Sequence, residues 1–317
     1  MGPINEDSYE LQFMDWLAAG GWQLARGPEI ADDGSMPERS SHKDVILAER
    51  LEDALSRINP GTPKDSIRQV RQALESPGET DILKANKRIH RWLTEGFPIT
   101  VRDASGEEET KLLWLVDFED EANNDWLAVS QFSVQTDADS GTRRPDIVLF
   151  LNGIPVGVVE LKNPSSEDAD IRQAFEQLQT YKSQISRLFY YNAVLVIADG
   201  ADARMGSLTA DYERFSRWRS TDGFNLDPNG TFGHAQTLIQ GLLSKRSFLD
   251  LIRFFSVFVD GPPSYKMLPA YHQFYAVKKA YDRALTASAE GGDGRGGVMW
   301  HTQGAGKSFE MACLAGM

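Results

Sequence analysis

An Asn-Gly pair set between two apolar runs constrains this chain more than any other stretch. Residues 143–162 read RRPDIVLFLNGIPVGVVELK, with apolar runs at 147–151 and 154–161 on either side of Asn152-Gly153. Asn-Gly readily supplies the two positive φ angles of a two-residue hairpin turn, so the stretch predicts two antiparallel strands. Such a turn returns the chain to its starting point. Asp146, at the outer end of the first strand, is thereby brought to the same end of the hairpin as Glu160 and Lys162. Residues two apart on a strand share a face, so Glu160 and Lys162 point one way while Leu161 points into the core.

Two carboxylates and an amine converging on one point suit hydrolysis of a phosphodiester. That reaction needs a divalent cation against the phosphate, a water activated at neutral pH and stabilisation of the leaving alkoxide. Asp146 and Glu160 offer hard oxygen ligands for Mg²⁺, with the Leu161 carbonyl as a further donor, and the ion keeps some of its water. Lys162 would orient or deprotonate that water, the second only if its neighbours tune its pKa. The plainer reading is an edge hairpin with charged ends and a surface Asp-Lys pair. Against it stands the run GVVELKNP, where charges sit within tightly apolar sequence.

Pro145-Asp146, thirteen intervening residues and Glu160-Leu161-Lys162 resemble the PD-(D/E)xK nuclease motif. The longer string RRPDIVLFLNGIPVGVVELKNP resembles the nuclease domain of the restriction (R) subunit of type I restriction-modification enzymes. The resemblance implies a helix after the lysine bearing Gln-x-x-x-Tyr, and Gln177 and Tyr181 stand at that spacing on one helical face. Without it, they read as a solvated glutamine and a partly buried aromatic. It also implies an opening helix that ends in Gly-Trp, matched by Gly21-Trp22, and an acid on that helix that joins the metal site. Glu10 is the candidate; otherwise it is a first-turn glutamate complementing the helix dipole. The resemblance further implies double-stranded DNA as substrate and methylation (M) and specificity (S) subunits as partners. In the whole subunit it implies ATP-driven translocation with cutting at a distance.

Bulk properties narrow the field. A length of 317 residues suggests about two domains, and 41% hydrophobic residues suffice for real cores. The 33 basic residues against 46 acidic ones give a net charge of −13, which argues against coating nucleic acid by charge alone. A nuclease acting inside a larger complex tolerates such a balance. The single cysteine, Cys313, excludes a disulfide framework and a Cys-rich zinc site, and the cytoplasm is the natural compartment. The opening MGPINEDSYELQFMDWL lacks the form of a signal peptide, and no apolar run is long enough to span a membrane.

Along the chain, a glycine-stopped helix is expected at 8–19, a loop at 28–42, and helices at 45–57, 64–75 and 80–95. Strands at 99–102, 111–117 and 126–135 are expected to begin a sheet that leads into the hairpin. Asn163-Pro164 ends the second hairpin strand, a helix follows at 167–187, and strands at 193–198 and 203–208 complete the sheet, with turns at Gly106 and Asp199-Gly200. Helices at 235–243 and 247–258 close this part. The order defines an α/β fold, a mixed β-sheet flanked by helices, which the resemblance identifies as a PD-(D/E)xK restriction-endonuclease-like core. Tyr212–Arg219 (YERFSRWR) interleaves arginines with aromatics, as a strand-binding surface would, or as an amphipathic segment with a solvated basic face does.

A second chemistry lies beyond a boundary placed near 259, so that 1–259 is the endonuclease domain and 260–317 the first part of a RecA-like P-loop motor. A strand at 298–300 leads into HTQGAGKS, where Gly304, Gly306, Lys307 and Ser308 match the end of a P-loop: amides cradle phosphates, lysine reaches the β/γ oxygens and serine binds Mg²⁺. His301 stands where the usual spacing has glycine, and the WHTQGxGK form of the resembled motor has the same departure. Gln273, in PAYHQ, is the candidate to read an adenine edge. ATP is thus the expected cofactor of the full-length subunit and Mg²⁺ that of both sites. No acidic motor strand or arginine finger follows before Met317, which predicts an incomplete motor. The competing readings are a nucleotide-binding module with structural hairpin acids and a fragment that only docks other subunits.

Overall fold

The computed structural model describes residues 6–102, 107–162, 171–228 and 233–317. The break at Asn163-Pro164, the start of the helix expected from 167 and the turn at Gly106 lie outside the described residues. The first half contains α1 (Glu6–Ala19), β1 (Gln23–Arg26), α2 (Gly27–Ile30), α3 (Ala48–Ile58), α4 (Lys64–Glu75), α5 (Ile82–Glu95), β2 (Phe97–Arg102), β3 (Glu108–Leu113), β4 (Trp126–Ser130), β5 (Val134–Gln135) and β6 (Thr142–Arg143). Then come β7 (Ile147–Leu151), β8 (Ile154–Leu161), α6 (Ile171–Gln184), β9 (Val194–Ala198), β10 (Ala203–Gly206), α7 (His234–Gly241), α8 (Lys245–Phe254), β11 (Val257–Val259), β12 (Tyr265–Met267), α9 (Tyr271–Ser288) and α10 (Lys307–Gly316).

Six strands form the central sheet in the order β1-β4-β7-β8-β9-β10. β1 runs parallel to β4 and β8 parallel to β9, and the remaining pairs are antiparallel, so the sheet is mixed. The hairpin forms its middle. Leu151 pairs with Ile154 across Asn152 (φ 53°) and Gly153 (φ 74°), the two positive angles that the dipeptide predicts. A bulge between Leu149 and Phe150 shifts the register, and Leu149 pairs with Gly157 beyond it. Every residue of β7, β8 and β9 is buried, which explains why these strands read as unbroken apolar runs.

The turn itself is buried. Asn152 is 0% exposed; its amide donates to the Leu115 carbonyl and the Asn124 side chain, both at 2.9 Å, and its Oδ1 accepts from Asp125 N at 2.7 Å. Gly153 lies so close to α3 that a Cβ there would meet Leu47 O at 2.5 Å. α1 ends in a Schellman motif: Trp22 N donates to Leu17 O at 3.1 Å and Gly21 N to Ala18 O at 2.9 Å, with Gly21 at φ 86°. Trp22 then packs edge-on against Trp126 of β4 and donates its indole N–H to Leu243 O, which anchors α1 to the sheet.

Several expectations fail here: the strand expected at 126–135 stops at Ser130, and the helix expected at 247–258 ends at Phe254, with 257–259 in β11. β2 and β3 pair only with each other, in a ribbon apart from the central sheet, and 114–117 is not a strand. Five of the six β3 residues are exposed, and the ribbon's apolar face, Phe97, Ile99 and Val101 of β2, packs on the core without joining the central sheet. The first edge of the sheet is β1, whose polar sequence QLAR carries no strand period. The strand expected at 298–300 is also absent: Val298 is 91% and Trp300 88% exposed. A P-loop strand is ordinarily buried between parallel neighbours, and among the described residues none lies beside it.

The division placed at 259/260 falls in the turn of the β11–β12 ribbon. Buried Lys266 of β12 fastens this ribbon to earlier elements by donating to Asn192 O at 2.7 Å and Asn86 Oδ1 at 3.2 Å. Phe274 of α9 packs against Trp218 and Phe255, continuing the same core. No described helix is long and apolar enough to cross a membrane.

Candidate active site

The sheet's register places the hairpin acids. Ile147 pairs with Val159, so Asp146 and Glu160 lie one step further along the two strands, at the end remote from the turn. The Leu161 backbone N–H donates to Asp146 Oδ2 at 2.6 Å, which ties the first acid to the strand that carries the second. Lys162, just past β8, is held to β9 by its own N–H, which donates to Ala198 O at 2.8 Å, and its ammonium donates to Glu160 Oε1 at 2.8 Å. Asp146, Glu160 and Lys162 therefore converge as the spacing predicts. Glu160 is only 3% exposed, and its second oxygen, Oε2, has no hydrogen-bond partner among the described residues.

Two helices complete the cluster. α1 contributes half-buried Glu10, whose carboxylate accepts from the Gln131 side chain and feels the charges of Arg26 and Arg144. Glu6, at the start of the same helix, adds negative potential at Asp146 and Glu160. α6 contributes Tyr181, 5% exposed, whose hydroxyl donates to Arg144 O at 3.2 Å and also bonds with Gln177 one turn earlier. The negative charges of Glu160 and Asp146 act on the Tyr181 phenol. All five expected catalytic residues and Glu10 thus gather at one end of the sheet.

The electrostatics are those of an acid-rich, partly desolvated site. Burial raises the Asp146 carboxyl to about 6, even though the Leu161 N–H and Lys162 favour its charged form. Burial, with Asp146 alongside, raises Glu160 to about 8. Burial alone would lower Lys162, but the charge and hydrogen bond of Glu160 outweigh it, and the amine's pKa is raised overall. Glu10 too is raised, chiefly by burial. Every perturbed acid and the amine are displaced toward holding protons: burial is the main cause for the acids, and the surplus of carboxylates over one ammonium adds to it and raises the amine. A divalent cation would remove that imbalance, and the unpartnered Glu160 Oε2 supplies a free ligand oxygen, so these residues fit one.

At the other candidate site, α10 begins at Lys307 behind two glycines in left-handed conformation, Gly304 (φ 84°) and Gly306 (φ 83°). The Lys307 ammonium donates back to His301 O at 2.9 Å and Thr302 O at 3.2 Å, and Ser308 is exposed on the first turn. Gln273 is engaged at both ends of its amide: Oε1 accepts from Ala270 N and Nε2 donates to Ala305 O, both at 2.8 Å. His301 pairs through Nδ1 with the fully buried Glu310 at 2.6 Å. The structure thus brings Gln273 against the glycine loop, but Lys307 and Gln273 spend their donors on the loop's own carbonyls.

The Tyr212–Arg219 stretch divides between core and surface. Trp218 and Phe215 are core residues, and Arg217 and Arg219 form ion pairs of 2.6 Å with Asp202 and Asp227. Sequence reasoning missed Glu6 and Gln131. Glu6 was visible only as one of several acids on the opening helix, and nothing local distinguishes Gln131 from any glutamine at a strand's end.

Residues 3–214 match the family described as the N terminus of the type I restriction enzyme R protein, and the chain belongs to that family. Its curated relatives include the type I restriction enzyme HindI endonuclease subunit of Haemophilus influenzae, 37% identical over 316 residues, covering 99% of this chain and 30% of that protein. The putative type I restriction enzyme MjaIXP endonuclease subunit of Methanocaldococcus jannaschii is 30% identical over 314 residues, covering 93% of this chain and 29% of that protein. The chain therefore spans about 30% of the length of these relatives. Residues 272–317 match a second family, described as SWI2/SNF2 ATPase.

Proposed function

We propose that the end of the sheet bearing Asp146, Glu160 and Lys162 is a Mg²⁺-dependent PD-(D/E)xK centre that cleaves double-stranded DNA as the nuclease part of an R subunit. The observation that carries this reading is Glu160: a carboxylate buried to 3% exposure, beside a second carboxylate and an amine, with one oxygen unpartnered. Most buried polar side-chain atoms find a partner, so an unpartnered carboxylate oxygen beside a second acid and an amine calls for a ligand. Asp146 and Glu160 would hold the cation, with Glu10 as the third acid. When bound, Mg²⁺ supplies charge neutralisation at the phosphate and a water of lowered pKa.

The chain's own groups do the rest. Lys162, whose raised pKa keeps it an ammonium, is suited to orient the attacking water by donation rather than to take its proton. Tyr181 keeps its proton because burial and the charges of Glu160 and Asp146 disfavour the phenolate, and with Gln177 it would position the phosphate. The enclosing α1 and α6 limit water at the acids, which strengthens each of these interactions. The test is cleavage of supercoiled plasmid by the complex assembled with the full-length subunit carrying Glu160→Gln: cutting stops while DNA-stimulated ATP hydrolysis continues. Native cutting by that variant would overturn the reading.

Residues 260–317 we assign to the beginning of a RecA-like motor, supported by the ATPase family match and by the left-handed glycines ahead of α10. In the full-length subunit Gly304, Gly306, Lys307 and Ser308 would hold ATP phosphates with Mg²⁺, and Gln273 the adenine edge. Translocation would belong to that whole subunit, assembled in the cytoplasm with methylation and specificity subunits on DNA.

A further inference from the structure

β4 ends at Ser130, and the next residue, Gln131, takes φ 58°, a left-handed conformation that L-residues other than asparagine and aspartate seldom adopt. Its neighbour fits it closely. Gly27, where α2 begins, packs against the bend so tightly that a Cβ would lie 2.1 Å from the Gln131 carbonyl oxygen and 2.8 Å from Phe132 Cα. A strained, sterically enclosed residue persists only where its surroundings over-determine it, and such residues concentrate at functional positions.

The bend makes two connections. The Gln131 backbone N–H donates to the Asp146 carbonyl at 2.8 Å, which carries the β4–β7 pairing one residue beyond Ser130↔Ile147. The Gln131 side-chain amide donates to the Glu10 carboxylate on α1. One residue thus touches both the sheet that carries Asp146 and the acid that comes from a helix more than a hundred positions earlier. The chemistry of the link is suited to a cation site. A neutral amide donor orients the carboxylate without adding a positive charge that would compete with the ion.

We propose that Gln131 is a positioning residue for the cation site, holding the Glu10 carboxylate oriented beside Asp146 so that acids from α1, β7 and β8 act as one ligand set. This rests on the nuclease reading above. Arg26 and Arg144 also act on Glu10 through their charge, but the amide makes a directional hydrogen bond to it. Loss of the amide leaves Glu10 free to turn away, while the backbone link to Asp146 survives.

Three variants test it: Gln131→Gly, Gln131→Asn and Glu160→Gln. Glycine and asparagine both accept the left-handed backbone and both keep the N–H that bonds Asp146 O; glycine has no amide, and that of asparagine is one methylene short. The Gln131→Gly chain is therefore expected to melt no lower than the native chain. Mn²⁺ binding to the 317-residue chain, followed by electron paramagnetic resonance, is expected to weaken roughly tenfold in both Gln131 variants, the usual cost of losing an outer-shell partner. Plasmid cleavage by the assembled complex should need correspondingly more Mg²⁺ and approach the native rate at saturation. Native Mn²⁺ affinity in Gln131→Gly, or weakened affinity accompanied by a large fall in melting temperature, would overturn the positioning role while an inactive Glu160→Gln left the nuclease reading standing. Native Mn²⁺ binding and cutting by Glu160→Gln would remove both.

Discussion

The hairpin end of the sheet and the glycine loop at 301–308 begin from equally short sequence signals, yet they differ in what surrounds them. Around the hairpin, β4 and β9 pair on either side, all thirteen strand residues are buried, and three side chains are delivered to one point. Around the loop, the preceding segment is exposed at Val298 and Trp300, and Lys307 turns back on the loop's own carbonyls. A catalytic motif is therefore only as well formed as the strands next to it. Amides and carboxylates can be aimed at a ligand only by a backbone that is fixed for other reasons.

Four measurements break or sharpen this contrast. Lys162→Ala in the full-length subunit should lower DNA cutting by about 10³-fold or more, the scale of losing a positioned proton donor together with its charge, and should leave DNA-stimulated ATP hydrolysis intact. Loss of both activities with a large fall in stability would make Lys162 structural. On the loop side, phosphate release from ATP by the 317-residue chain, with DNA and Mg²⁺, should stay at background and be the same for Lys307→Ala. Lys307-dependent turnover would show that the loop is competent without neighbouring strands.

Packing should separate the two regions next. Phe150 is fully buried against Phe132, and Phe150→Ala should cost about 3–5 kcal/mol in denaturant unfolding, whereas exposed Trp300→Ala should stay within about 0.5 kcal/mol. Comparable costs would mean that the loop is packed as firmly as the sheet. The acids give a smaller, pH-dependent effect. Glu160 is raised from its ordinary value of 4.5 to about 8, so its contribution to stability is fully present below about 4.5 and is lost as pH rises through 8. Buried Lys266, whose amine is lowered to about 7, acts in the opposite direction, so the effect is read as a difference: without divalent cations, the native chain should lose stability from pH 6 to pH 8.5 relative to Glu160→Gln. Glu160→Gln should recover roughly 1–3 kcal/mol at the higher pH and flatten the dependence. A melting difference between the native chain and Glu160→Gln that stayed constant from pH 6 to 8.5 would contradict the direction assigned to Glu160.

What the sequence disclosed follows the same division. The turn at Asn152-Gly153, the buried strands around it, α4 at 64–75 and the glycine stop of α1 were legible because each is fixed by local chemistry or by an unambiguous apolar run. β1 was not, since QLAR becomes a strand only because β4 offers it a free edge. The ribbon of β2 and β3 was legible as strands but not as separate from the sheet, because period alone does not name a partner. Within the site, Asp146, Glu160 and Lys162 could be placed from the hairpin's register. Gln177 and Tyr181 needed the resemblance, and Gln131 needed coordinates, since its role arises from a backbone angle and from a contact with Glu10 across the fold.

The central claim is that Asp146, brought to Glu160 and Lys162 by one hairpin, makes that end of the sheet a cation-dependent nuclease centre. Its most direct test is a Mg²⁺ titration of supercoiled-plasmid cleavage by the restriction complex assembled with native or Asp146→Ala full-length subunit, at matched rates of ATP hydrolysis. The account predicts cutting by the native complex that rises with Mg²⁺ and saturates, and no linear product from Asp146→Ala at any Mg²⁺ concentration. Cutting by Asp146→Ala at the native rate and with the native Mg²⁺ dependence would contradict it.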